Sequence, residues 1–100
     1  MTRILSATII LLFMLTACNT ELPTACFDID YTIIQVEDEI ELTNCSDNAD
    51  TYFWDFGNDS TTTTESPTVK YHETGIYTIS LTAFKDKKQN IAFYEITVIN

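Results

Sequence analysis

The chain has 100 residues and a mass of 11.4 kDa, enough for one small domain and too little for a multidomain enzyme. With 45% apolar and 20% charged residues it is not composed like a disordered chain, and two glycines and two prolines exclude a flexible tail. Fifteen acidic against five basic side chains give a formal net charge of −10, which repels nucleic acid and anionic headgroups, so no nucleic-acid partner is expected.

Arg3 supplies a positive amino-terminal region, and Ile4 to Leu15 form an apolar run too short to span a bilayer permanently but suited to export. The run ends in Leu15-Thr16-Ala17-Cys18, which resembles the bacterial lipobox. That motif needs a thiol at its last position, because the sulfur takes a diacylglycerol before cleavage. Residues 1–17 therefore read as a helical, cleaved lipoprotein signal peptide, with Cys18 as the acylated terminus. The alternative is an ordinary signal peptide with a chance cysteine. Anchoring to the membrane through lipid on Cys18 follows, in a bacterial cell envelope and at the outer membrane. Residues 18–24, polar and containing Pro23, read as a lipid-anchored tether. With Cys18 so used, Cys26 and Cys45 remain as an even pair in an oxidising compartment.

From Ala25 onward no segment keeps a helical period, and β-branched and aromatic residues are dense. Ala25 to Ile29 and Tyr31 to Ile34 read as one broken strand. Glu39 to Asn44 follows, with Ile40 and Leu42 on one face and Glu39, Glu41 and Thr43 on the other. Thr51 to Phe56 places Tyr52, Trp54 and Phe56 together. Thr61 to Glu65 and Thr68 to Tyr71 flank Pro67 as short edge strands, because proline cannot donate to a ladder. Tyr77 to Phe84 turns Tyr77, Ile79, Leu81 and Ala83 inward, and Ile91 to Ile99 does the same with Tyr94, Ile96 and Val98. Turn chemistry fills Ser46 to Asp50, Gly57 to Ser60, Glu73 to Gly75 and Lys85 to Asn90. Short strands so closely spaced predict an all-β, immunoglobulin-like antiparallel β-sandwich over residues 25–100. A core Trp54 followed by Glu73-x-Gly75-x-Tyr77 fits that arrangement, with the Tyr77 hydroxyl satisfying a backbone carbonyl at the turn.

Leu42-Thr43-Asn44-Cys45-Ser46, Tyr52-Phe53-Trp54-Asp55-Phe56-Gly57, Pro67, Tyr71 and Gly75 to Ala83 together resemble the PKD domain, an immunoglobulin-like module. The resemblance covers nearly all of Ala25 to Asn100, with Trp54, Phe56, Gly57, Gly75 and Tyr77 as its structural core. Asn58-Asp59 stands where the family usually has Asp-Gly, so the turn after Gly57 is expected to differ in type. The resemblance implies an extracellular interaction or spacer module rather than a catalyst.

Cys26 and Cys45 fall on adjacent strands with a common parity and can pair; two free thiols are the alternative, because parity does not fix register. Asp47, Asp50, Asp55 and Asp59 gather carboxylates near loops and strand ends, weak candidates for calcium, but no metal-binding spacing is present and acidic turns that cap and solvate are commoner. No cofactor motif occurs. With Trp54 and Tyr77 inward, Phe53, Phe84, Ile91 and Phe93 point outward from strands of one sheet and mark a partner surface for an envelope protein or glycan. The commoner outcome at strand ends is a bulge that turns one or two such residues into the core. His72 has no serine or cysteine placed to act with it, and a domain this small has little room for a cleft, so catalysis is not expected. Asp59-Ser60-Thr61 resembles a short O-glycosylation acceptor motif of some exported bacterial proteins.

Overall fold

The computed structural model describes residues 21–100; the expected signal peptide 1–17, the expected lipidation residue Cys18 and the start of the expected tether lie outside the described residues. Eight strands follow in chain order: β1 (Phe27–Ile29), β2 (Ile33–Gln35), β3 (Glu39–Asn44), β4 (Thr51–Asp55), β5 (Thr61–Thr62), β6 (Thr68–Lys70), β7 (Gly75–Lys85) and β8 (Lys88–Ile99). They form a three-stranded sheet of order β1-β3-β6 and a five-stranded sheet of order β2-β8-β7-β4-β5. Strand alternation puts one face of each sheet inward. Phe27, Ile40, Leu42 and Val69 from the small sheet meet Trp54, Ile79, Leu81, Ile96 and Val98 from the large one, and all are buried. Enclosing each such side chain contributes about 1.5–3 kcal/mol, which makes this layer the main source of stability.

The sandwich is antiparallel with one exception. β1 pairs antiparallel with β3, but β2 runs parallel to β8, Ile33 opposite Thr97. The link at Asp30 to Thr32 passes the chain from one sheet to the other instead of folding it back as a hairpin, so the expected broken strand becomes two strands in different sheets. The β7–β8 hairpin is longer than its hydrophobic pattern: the ladder runs unbroken to Lys85 opposite Lys88. Only Asp86 and Lys87 are left to turn, with Asp86 at a φ of 56°. Backbone pairing carries the polar residues Lys88 to Asn90, which sequence alone assigns to a loop. β5 is shorter than expected, because the Thr64 carbonyl accepts the Trp54 indole N–H at 2.8 Å instead of entering a ladder.

A disulfide joins Cys26 and Cys45 just beyond the paired ends of β1 and β3. The Cys45 N–H donates to the Cys26 carbonyl at 2.9 Å, continuing the register outward. Closing a loop of this length contributes about 3 kcal/mol in the chain-entropy model. Residues 21–24, assigned by sequence to the tether, are held on the domain. Pro23 is buried, Thr24 and Asp47 exchange both backbone bonds at 2.9 Å, and Asn48 donates to the Glu21 and Leu22 carbonyls.

Two tyrosines lock the other end. The Tyr77 hydroxyl donates to the Glu73 carbonyl at 2.9 Å, the corner bond expected from the sequence, but the ring is only half-buried. The deeper ring is Tyr71, stacked on Tyr77 with centroids 4.3 Å apart and donating its hydroxyl to the Phe56 carbonyl at 2.6 Å. Burial pushes the Tyr71 hydroxyl well above the usual phenol range, and Tyr77 and Asp55 nearby add to the shift. Trp54 and Phe56 are core residues, whereas Gly57 is an exposed turn residue and Gly75 is exposed as the first residue of β7, a correction to their assignment to the core. Gly57 sits there because its φ is +79° and a Cβ would lie 2.6 Å from the Thr78 carbonyl oxygen. Tyr94 faces inward as expected, its ring edge-on to Phe27 with centroids 5.0 Å apart, but it stays 44% exposed. Beside it the sheet has no covering strand, since β2 pairs β8 only from Thr97 onward.

Candidate interaction surface

Residues directly opposite each other in neighbouring strands share a face, so the register of the large sheet fixes what its outer surface carries. Phe53 on β4 lies opposite Thr82 on β7, which lies opposite Ile91 on β8. Phe84 stands opposite Thr51 and Gln89, one step diagonal to both Phe53 and Ile91, and Phe93 stands opposite Ser80. The four residues therefore occupy one end of one face. Phe53, Ile91 and Phe93 are exposed at 40%, 52% and 67%, and Phe84 is half-buried. The β7–β8 register contains no bulge, so none of them is turned into the core.

The same face carries a second apolar group that the sequence reading passed over. Ile76 and Ile33 flank Thr97 from either side, Ile99 lies one step further, and all three are exposed. Their parity with Phe84 and Phe93 was available from the alternation. The link missing from sequence was the parallel pairing of β2, which brings Ile33 onto this sheet. Thr78 and Glu95 separate the two groups.

Where β5 stops short, the edge of β4 opens into a groove of about 570 Å³. Tyr52, Phe53 and Phe84 supply its apolar wall, and Asp50, Thr63 and Glu65 supply polar groups at its margin. Lys85 holds the Asp50 carboxylate at 3.4 Å at one end.

The four aspartates suggested for calcium are not brought together. Asp50, just before β4, and Asp55, at its end, are roughly 17 Å apart at strand spacing. The Asp55 carboxylate accepts the Gly57 N–H at 2.9 Å, a turn-capping role. Asp47 is engaged through its backbone with Thr24, and Asp59 lies in the β4–β5 turn at a φ of 71°. Among the described residues there is no group of three or more His, Cys, Asp or Glu able to hold a metal. Among the described residues, His72 meets Glu37 at 2.8 Å, between two exposed side chains. Of the acceptor-like motif, Ser60 in the β4–β5 turn and Thr61 at the start of β5 are exposed.

The described surface has no cluster of reactive groups, and its unusual feature is apolar area. A family model described as "PKD domain" matches residues 21–98. The pre-pro-metalloprotease PrtV of Vibrio cholerae is 34% identical over 65 residues, covering 65% of this chain but only 7% of PrtV. The solved PKD1 domain of that metalloprotease superposes with a TM-score of 0.69 at 29% identity, covering 80% of this chain and all of the domain. The PKD1 domain of Vibrio anguillarum Epp gives 0.66 at 27%, covering 81% of this chain and 98% of that one. The described residues thus correspond to a non-catalytic domain of such proteins and not to a protease domain.

Proposed function

The chain belongs to the PKD domain family, and from that premise we propose that it is a non-enzymatic lipoprotein of the bacterial cell envelope, using the outer face of its large sheet to dock another envelope protein. The observation that carries this reading is the exposure of Phe53, Ile91 and Phe93 together on one bulge-free sheet face. Isolated exposed apolar residues need no explanation, but a contiguous group on one face marks a contact surface. A wholly polar outer sheet favours a spacer without a ligand, and this one is not wholly polar. The signal segment, Cys18 and its lipid enter as the anchor that presents this face at the membrane, supported by the Leu15-Thr16-Ala17-Cys18 tetrapeptide. A second reading, glycan binding, is favoured by the groove beside Phe53, where aromatic rings stand next to Asp50 and Glu65 as hydrogen-bonding groups.

Two experiments separate the parts. Mass spectrometry of the mature protein is expected to show a diacylated terminus at Cys18; an unmodified terminus rejects the anchor and leaves the docking face standing. Crosslinking in the native membrane is expected to capture a protein with the wild-type chain and to lose it with Phe53→Ser/Phe93→Ser. Retention of the same complex rejects the face, and loss of soluble glycan binding in the double variant assigns the groove instead.

A further inference from the structure

The groove beside β4 is framed by an interrupted ladder. β5 pairs with β4 only at Trp54 opposite Thr62 and Asp55 opposite Thr61, and the Phe56 N–H extends that ladder by donating to the Ser60 carbonyl at 3.1 Å. Even-numbered residues of β4 therefore turn their backbone groups toward β5. The next bonded pair in this series is Tyr52 with Thr64, but Thr64 has turned aside, its carbonyl accepting the Trp54 indole N–H at 2.8 Å. Tyr52 is left with its N–H and C=O directed at the groove, and among the described residues no backbone group bonds to them.

Side chains complete these surroundings. The Tyr52, Phe53 and Phe84 rings form the wall, the Asp50 and Glu65 carboxylates stand at the margin, and among the described residues no basic side chain lines the groove. The Glu65 backbone carbonyl accepts from the Asn44 side-chain amide at 2.8 Å, but its carboxylate has no ion pair among the described residues. Lys85 reaches Asp50 from outside only at 3.4 Å, longer than a close charge-assisted bond. Two carboxylates without a close cation, a carbonyl without a donor and exposed aromatic rings thus meet in one place. A guanidinium answers all three, with a permanent positive charge, five N–H donors in one plane and a flat face that stacks on aromatic rings. An ammonium supplies the charge without the planar fork, and a neutral sugar leaves the carboxylates without a counter-charge. We infer that this groove receives an arginine side chain of the docked partner, its guanidinium at the Asp50 and Glu65 margin and its stem along Phe53 and Phe84. The net charge of −10 favours the same choice, because it draws a basic segment toward the domain. The assignment rests on the docking reading for the source of the arginine, whereas the chemistry of the groove stands apart from it.

The test uses the full chain, isotope-labelled in zwitterionic detergent micelles and followed by its backbone amide resonances. The probes are the peptide N-acetyl-Gly-Arg-Gly-amide and the same peptide with citrulline, which keeps the shape of arginine and loses its charge. The arginine peptide is expected to shift the Tyr52 and Phe53 amides with an affinity of roughly millimolar order, as suits a single anchoring side chain, and added salt should weaken it. The citrulline peptide should leave those amides in place. Asp50→Asn/Glu65→Gln should weaken the arginine peptide about tenfold, with the rest of the amide spectrum reporting that the variant is folded. Glu95→Gln, a loss of charge on β8 away from the groove, and Phe93→Ser, on the docking face but outside the groove, should leave the affinity unchanged. Equal shifts from arginine and citrulline, no shift from either, or an undiminished affinity in Asp50→Asn/Glu65→Gln overturns the arginine site and leaves the docking face standing. Shifts produced by cellotriose and not by the arginine peptide overturn it as well and assign the groove to glycan. Persistence of the native-membrane complex in Phe53→Ser/Phe93→Ser, by contrast, rejects the docking face without touching the arginine peptide's shifts in the wild-type chain.

Discussion

The two faces of the five-stranded sheet are built from the same strands and the same residue types, yet have opposite fates. Trp54, Ile79, Leu81, Ile96 and Val98 are sealed against the small sheet. Phe53, Ile76, Ile91 and Phe93, each one residue away from an inward position, stand in solvent. Apolar character therefore does not decide which side is the core. The covering layer does, and the small sheet can cover only one side. The apolar residues on the other side contribute little to folding and are available for contact, which is why the two faces should respond to mutation in different ways.

The largest expected effect lies on the inner face. Trp54→Ala removes a ring packed 4.9 Å from Phe27 and an indole bond to Thr64, and should cost about 3–5 kcal/mol in denaturant unfolding. For a domain of this size that is a large share of total stability. Next is the clamp between β1 and β3. Replacing both Cys26 and Cys45 by serine should cost about 2–4 kcal/mol, read from the same unfolding curves, with wild-type protein in reductant behaving alike.

Tyr71→Phe keeps the ring but leaves the Phe56 carbonyl without its donor, and should cost about 1–2 kcal/mol. It also tests linkage. Burial raises the Tyr71 pKa in the folded state, so the unfolded chain loses this proton first. The native state should keep its full stability below about pH 10, the unfolded phenol value, and lose it as pH rises further. Melting midpoints across alkaline pH should show that loss in wild type and a shallower one in Tyr71→Phe.

Much of the sandwich was legible because alternation is a direct consequence of strand geometry. Ile40 and Leu42, and Ile79, Leu81 and Ala83, fall inward where their spacing puts them. The Tyr77 corner bond was legible from Glu73-x-Gly75-x-Tyr77. What escaped depends on pairing between distant segments. The parallel β2–β8 contact leaves Tyr94 partly exposed at an unpaired edge although its ring meets Phe27, brings Ile33 to the outer face, and docks on a strand whose first half has a bare edge. Tyr71 looked like the end of an edge strand, but its burial needs Phe56 and Tyr77 to arrive from elsewhere in the chain. The outer patch was readable from parity alone. Its continuity depended on the absence of a bulge, which local sequence does not specify.

The smallest expected effect on stability is also the most informative about function. Phe53→Ser/Phe93→Ser alters two exposed side chains on the outer face and should change unfolding free energy by less than about 1 kcal/mol in total. The decisive measurement is therefore this double variant, followed for thermal melting and for crosslinked complexes in the native membrane. An unchanged melting midpoint with loss of the captured protein is the result expected of a docking face. A midpoint that collapses, or a complex that persists undiminished, contradicts it.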